Sequence, residues 1–382
     1  MSHNQYKELI NKTISSDKET FLFFKGRVAL YAILKAMNIQ AGDEVILPAF
    51  TCVVVPNAIL YLNAKPVYVD IKPETYTMDP LQIKSKITSK TKIIILQNTF
   101  GLSMDIERIL NIARNNNLYT IEDCTHGFGG RYNNQFNGTL CDASFFSTQW
   151  NKPFSTGIGG FAIVANTELN KKMEQLESDA CLPSFTQSIS IYFQLAAHRL
   201  LITDQSYWLL RRGYRWLSKH NIVTGSSQGE EVSSTKIPHN YFQAMSTVQI
   251  KAGIKALLVF NDLQNKRIEN AKSYTAFLKK NNKNHVPESV HDNHGFLTYP
   301  LLVFDRVQFM ENAEKAKIKL GDWFISPIHP VKSNFGKWNI MPSDYPIALE
   351  ICQHIVNLPT DIKDINRVLQ FLDSHKSHIM SL

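Results

Sequence analysis

An α/β fold is predicted for this 382-residue chain, with a mostly parallel sheet covered by helices on both faces and a smaller α/β unit towards the C-terminal end. Three features predict it. Short strand-like and helix-like segments alternate from about residue 26 to 164, the pattern of parallel strands joined by crossover helices. One of the segments, over 91–97, reads as a buried strand, as a sheet covered on both faces requires. The alternation then resumes after residue 284, once a long aromatic and basic stretch has passed.

Taken in order, Val28, Leu30, Tyr31, Leu34 and Met37 fall near helical spacing and predict a helix over 26–38. Gly42-Asp43 marks a turn, followed by a strand over 44–47 that Pro48 closes. A helix over about 53–62, a strand over 66–70, a short helix over 81–87 and a buried strand over 91–97 come next. A helix over 106–115 leads to a strand over 119–122, and strands over 143–147 and 160–164 flank a loop that holds Lys152. Residues 185–223 carry Tyr192, Phe193, Tyr207, Trp208, Tyr214 and Trp216 beside Arg199, Arg211, Arg212, Arg215 and Lys219; a polar loop over 225–234 follows. A long helix over 246–279, a strand over 296–303, a helix over 307–319, a strand over 323–326 and helices over 348–354 and 361–375 complete the reading. It divides the chain into a large domain over 1–255, with a helical insert over about 180–238, and a small C-terminal α/β domain over 256–382.

Composition bounds the function. Lys+Arg 41 against Asp+Glu 33 leaves a charge of +8, which suits anionic ligands such as phosphates and nucleotides. No basic run interleaved with aromatics resembles a nucleic-acid reader, so no nucleic-acid partner is expected. The five cysteines, Cys52, Cys124, Cys141, Cys181 and Cys352, are odd in number and widely spaced, which points to neither a disulfide framework nor a metal site. The polar N-terminus does not read as a signal peptide, and no run of about 18 apolar residues occurs, so a cytoplasmic protein is expected.

Two segments carry the chemistry. In a parallel α/β sheet, ligands sit beyond the carboxyl ends of the strands. There Thr120-Ile121-Glu122-Asp123 ends in acid, and Phe145-Phe146-Ser147 leads to Lys152, closed by Gly157, Gly159 and Gly160. An acid and a lysine meeting across the top of a sheet suit a pyridoxal phosphate (PLP) enzyme, in which lysine forms a Schiff base and a carboxylate keeps the pyridine nitrogen protonated. Asp123 is the candidate, because Glu122 points to the opposite face of the strand. Lys25-Gly26-Arg27 opens the first helix, where free N–H groups and the helix dipole favour an anion, and Ser147 is a second donor for the cofactor phosphate. Each feature alone has a plainer reading: the acids as a helix cap, the lysine as a solvated loop residue, Gly26 as a helix start. Their order along one chain favours the cofactor.

With these residues in place, the chain resembles the DegT/DnrJ/EryC1/StrS sugar aminotransferases, which are fold-type-I PLP enzymes. The matching stretches are Gly26-Arg27-Val28-Ala29-Leu30, the run from Gly42 to Thr51, the run from Ala64 to Ile71, Glu122-Asp123 with His126, Phe146-Ser147 with Lys152, and Gly159-Gly160. Ser246, Gln249, Gly253, His329-Pro330 and Asn357-Leu358-Pro359-Thr360 extend it into the C-terminal part. The likeness is strong over about 20–175 and weaker over 240–375. It implies that Lys152 is the Schiff-base lysine, that Asp123 pairs with the pyridine nitrogen, that His126 lies against the ring, and that Gly26, Arg27 and Ser147 hold the phosphate. It implies homodimers with shared sites and transfer of an amino group, usually from glutamate, to a keto sugar on a nucleotide. Related dehydratases carry histidine in place of Lys152, so the lysine favours transamination.

Three positions depart from the family pattern. Cys52 stands where relatives place an aromatic on the cofactor ring, Phe242 falls where a partner-borne asparagine is expected with Asn240 close by, and residues 180–238 lack a counterpart. For the 185–223 stretch, packing at a dimer interface or over the site is favoured over contact with an anionic membrane surface. The competing functions are a PLP enzyme with a non-sugar acceptor, such as a cyclitol, and a non-catalytic PLP-binding sensor.

Overall fold

The computed structural model describes residues 2–201, 213, 230–287 and 293–381. A seven-stranded sheet forms its centre. The strands are β1 (Glu19–Phe23), β2 (Glu44–Pro48), β4 (Lys65–Val69), β5 (Thr91–Gln97), β6 (Tyr119–Asp123), β9 (Ala143–Ser147) and β10 (Gly160–Val164), in the order β1-β10-β9-β6-β5-β2-β4. The ladders from β9 to β4 are parallel. Those joining β1 to β10 and β10 to β9 are antiparallel. β3 (Thr51–Cys52) lies outside this sheet, and Arg131–Tyr132 (β7) pairs with Gln135–Phe136 (β8) in a small hairpin.

Alternation of side chains decides which helix covers which face. Val45, Leu47, Ile93, Ile95 and Ile121 pack with helices α2 (Gly26–Ala36) and α3 (Val54–Leu60). Ile46, Ile94 and Leu96 face the other way, onto Ile106, Ile109 and Ile112 of helix Ile106–Asn115, whose buried residues recur at helical spacing. Next to them, Leu22, Phe146, Phe161 and Ile163 meet Tyr6 and Ile10 of α1 (His3–Thr13) and Ile250, Ile254 and Leu257. α/β layering with helices on both faces therefore holds.

The C-terminal part is built on β11 (Thr298–Leu302) antiparallel to β13 (Ile355–Pro359). β12 (Ile328–His329) leaves it to pair in parallel with β3, Ile328 opposite Thr51 and His329 opposite Cys52.

Several expected elements differ. The single helix over 246–279 is two, Thr247–Leu257 and Phe260–Lys280. Val259 leaves helical backbone at φ −112 and ψ 8, which turns Phe260 into an aromatic cluster, 4.9 Å from Phe128, while Leu258 and Val259 stay exposed. The strand expected over 323–326 is absent, because its N–H groups find side chains instead of a ladder: Trp323 donates to Asn357 Oδ1 and Ile325 to His329 Nδ1. The helix expected over 361–375 starts later, at Ile365, where Asp364 caps it by accepting from Asn366. β1, β13 and helices α1 and Thr167–Asp179 were not foreseen. Of the aromatic and basic stretch, helix Phe185–Leu201 is described and displays Phe185, Tyr192 and Phe193 to solvent. The readings of Tyr207, Trp208, Arg211, Arg212, Tyr214, Arg215, Trp216 and Lys219 lie outside the described residues. Part of the expected 225–234 loop is a short helix, Glu230–Ser233.

Candidate active site

Asp123 ends β6 with its side chain on the same face as Ile121 and buried to 3 % exposure. One oxygen accepts the Thr125 N–H at 2.9 Å. Burial pushes its carboxyl above the usual range, while bonds from Thr125 and the nearby Lys152 charge pull it back. Among the described residues no cation stands within ion-pair distance of it. A protonated nitrogen brought to this carboxylate would supply the missing counter-charge. Glu122 points to the opposite face, as alternation predicts. There it accepts Asn98 Nδ2 and the Gly138 N–H, both at 2.7 Å, and is fully buried.

Lys152 follows β9 in the loop that Gly159-Gly160 closes, and its N–H donates to Gln149 O at 3.1 Å. The stem is half-buried and the amine lies 4.7 Å from the centre of the Trp323 ring. Desolvation lowers its pKa to about 8; Cys52 and Asp123 oppose the shift, and Arg27 adds to it. An amine so placed is partly neutral near pH 7, as a nucleophile toward a carbonyl must be.

His126 stands in the turn after β6. Its Nδ1 accepts the Phe100 N–H at 3.2 Å, and its ring stacks on Trp323 at 4.6 Å. Burial, then the Lys152 and His329 charges, hold its pKa well below 6.5. A neutral ring accepting at Nδ1 carries its proton on Nε2. Phe100 reaches this position through left-handed backbone, φ 58.

The anion cradle forms where α2 begins. Its first turn has no side-chain cap hydrogen bond at Lys25 among the described residues. A Cβ on Gly26 would sit 2.8 Å from Phe146 O and 2.9 Å from Ser147 Cβ, so only glycine lets the helix start against the end of β9. Two cations flank it. The Lys25 pKa is lowered to about 8 by burial first and by Arg27 second. The Arg27 guanidinium pairs with Glu231; burial works against its charge, but the carboxylate outweighs this and holds its pKa above the ordinary value. Glu231 comes from helix Glu230–Ser233, which Asn57 Nδ2 secures through Glu231 O at 2.7 Å. Cys52 is half-buried at the end of β3 and within electrostatic reach of Lys152.

The structure thus gathers Gly26, Arg27, Cys52, Asp123, His126, Ser147 and Lys152 around the carboxyl ends of β6 and β9, the end of β3 and the start of α2. This donor set fits pyridoxal phosphate: a helix start and a hydroxyl for its phosphate, a buried carboxylate outside any ion pair among the described residues for its ring nitrogen, and a desolvated amine for its carbonyl. Sequence reasoning missed Trp323, Phe100 and Glu231. Nothing local marks them. Trp323 lies in an irregular segment, Phe100 in a tight turn, and Glu231 reaches Arg27 across 204 residues of sequence.

Comparison with known proteins identifies the family. A family model for the DegT/DnrJ/EryC1/StrS aminotransferases matches residues 18–195 and 209–368, and the chain belongs to that family. The match breaks only over 196–208, a narrower gap than the 180–238 insert expected from the sequence. The chain is 38% identical over 169 residues to GDP-perosamine synthase of Escherichia coli O157:H7, which covers 44% of this chain and 44% of that protein. It is 28% identical over 365 residues to an uncharacterized protein, MJ1066, of Methanocaldococcus jannaschii, covering 93% of this chain and 84% of the relative. The alignment with the synthase therefore spans less than half of its length. Among solved structures, an aminotransferase from Psychrobacter cryohalolentis superposes with TM-score 0.75 at 21% identity, covering 98% of this chain and 91% of that one. At that identity the likeness concerns the fold.

Proposed function

We propose that this protein is a PLP-dependent aminotransferase that takes an amino group from a donor such as glutamate and delivers it to a keto sugar carried on a nucleotide. The observation that carries this reading is the Lys152 amine, its pKa lowered to about 8, within electrostatic reach of the buried Asp123, which forms no ion pair among the described residues. When bound, the cofactor supplies a carbonyl and an electron-withdrawing ring. Asp123 keeps the ring nitrogen charged, and Nζ of Lys152 moves the proton at the substrate carbon. The helix start at Gly26 and Arg27, with the Ser147 hydroxyl, binds the phosphate. His126, neutral and fixed at Nδ1 by Phe100, would lie against the ring.

The sugar acceptor draws support from the relatives' names. Beside the GDP-perosamine synthases stands a UDP-N-acetyl-3-dehydro-alpha-D-glucosamine 3-aminotransferase of Acidithiobacillus ferrooxidans, 34% identical over 168 residues. Inosose aminotransferases at 34–35% identity favour a cyclitol as the second reading. A homodimer completes the proposal. The aromatic face of helix Phe185–Leu201, with Phe185 78% and Phe193 65% exposed, is available for subunit contact. A division into two domains near residue 255 belongs to the same reading, and the break between helices Thr247–Leu257 and Phe260–Lys280 supports it.

The test is an absorption spectrum with PLP, followed by borohydride reduction and peptide mapping. Cofactor fixed on Lys152, absent from Lys152→Ala, and a spectrum that glutamate changes are expected. Acceptor panels of nucleotide keto sugars and inososes then separate the readings. Cofactor fixed elsewhere, or a spectrum that no amino donor alters, defeats the proposal.

A further inference from the structure

We infer that Trp323 is a cofactor-contacting residue: its indole is the aromatic face against which a ring held on Lys152 rests. The inference builds on the PLP reading of the site and assigns a residue that the N-terminal motifs do not contain.

Three observations meet here. Nζ of Lys152 lies 4.7 Å from the centre of the indole, so an aromatic ring joined to that nitrogen through one carbon falls within contact of it. The same indole is parallel to His126, at 4.6 Å and 13°. Finally, the segment is anchored on both sides of Trp323. Gly321 exchanges backbone bonds with Asn357, N to O at 2.9 Å and back at 3.2 Å, and the Trp323 N–H donates to Asn357 Oδ1 at 2.8 Å. Asn357 Cβ would stand 2.9 Å from a Cβ on Gly321, so glycine permits this approach. Downstream, Pro327 O and His329 O accept the N–H groups of Thr51 and Val53, each at 2.9 Å. Next to Trp323, Phe324 is buried and packs edge-on against Phe50 at 5.0 Å. The indole itself stays half-buried. A large aromatic pinned by its neighbours yet open to the lysine is built to meet a flat ligand. Cys52, opposite His329 in the β3–β12 pair, is too small to fill that role.

The experiment measures PLP dissociation constants by equilibrium dialysis for the parent protein, Trp323→Phe and Trp323→Leu, with thermal melts of each. Leucine keeps apolar bulk but has no π face, and phenylalanine keeps a ring. Trp323→Leu is expected to raise the constant about three- to tenfold with a melting temperature like that of Trp323→Phe, which stays within about twofold of the parent. The absorption maximum of the bound cofactor shifts in Trp323→Leu. Equal constants and an unchanged spectrum in Trp323→Leu overturn the inference, as does an equal loss in both variants. A parent protein that fixes no PLP on Lys152 overturns the reading of the whole site and the inference with it.

Discussion

The pH at which Lys152 becomes reactive follows directly from its surroundings. With its pKa near 8, about one amine in ten is neutral at pH 7, against about one in three thousand for an ordinary lysine at 10.5. The environment thus multiplies the reactive fraction roughly 300-fold at neutral pH. Asp123 raises the pKa, so Asp123→Asn moves the midpoint further down. Trace labelling of the cofactor-free protein with acetic anhydride, between pH 6 and 10, reads this directly. Peptide mass spectrometry gives the extent of acetylation at Lys152 relative to a free lysine derivative. The expected curve has its midpoint near 8 in the parent and lower in Asp123→Asn. A parent midpoint at 10 or above refutes the desolvated amine and with it the electrostatic account of the site. A midpoint that Asp123→Asn leaves in place refutes the coupling between the two residues.

Gly26→Ala sets a methyl 2.8 Å from Phe146 O, on strand backbone that does not yield easily. It is expected to destabilise the fold by about 1–3 kcal/mol in denaturant melts and to weaken PLP binding measured by dialysis. Glu122→Ala removes the acceptor of two buried donors, Asn98 Nδ2 and the Gly138 N–H, and is expected to cost about 2–5 kcal/mol of stability, with little change in which lysine the cofactor labels. His126 is neutral well above its lowered pKa, so turnover should show no histidine step near pH 6.5. His126→Gln should leave the acid limb of the pH–rate profile where it was; a shift of that limb would make His126 a titrating participant.

The parallel sheet and the lysine loop were legible because both rest on local pattern. β5 holds the apolar run Ile93-Ile94-Ile95-Leu96, β6 is a short segment that ends in acid, and period-two alternation alone separates Asp123 from Glu122. The C-terminal part was harder, because its order comes from distant partners. The segment at 323–326 has the composition of a strand, yet the Asn357 side chain and His329 claim its N–H groups. The break at Val259 lies within a helical pattern and is set by the place of Phe260 beside Phe128, a tertiary contact. The resemblance implies Arg27 as a phosphate ligand, while its ion pair with Glu231 joins segments that no spacing rule connects.

One contact has a consequence for biogenesis. Trp338 Nε1 donates to Asn57 Oδ1 at 2.7 Å, across 281 residues of sequence, and Asn57 in turn holds Glu231 O. At roughly 5–20 residues per second, a ribosome needs about 15–60 s to make the chain between the two. The helix start at Gly26 and the strand ends leave the ribosome well before Trp323, which stands beside Lys152 and His126. A nascent chain passes through a stage without Trp323 and Glu231, so binding of the cofactor before synthesis ends would find a half-built receptor.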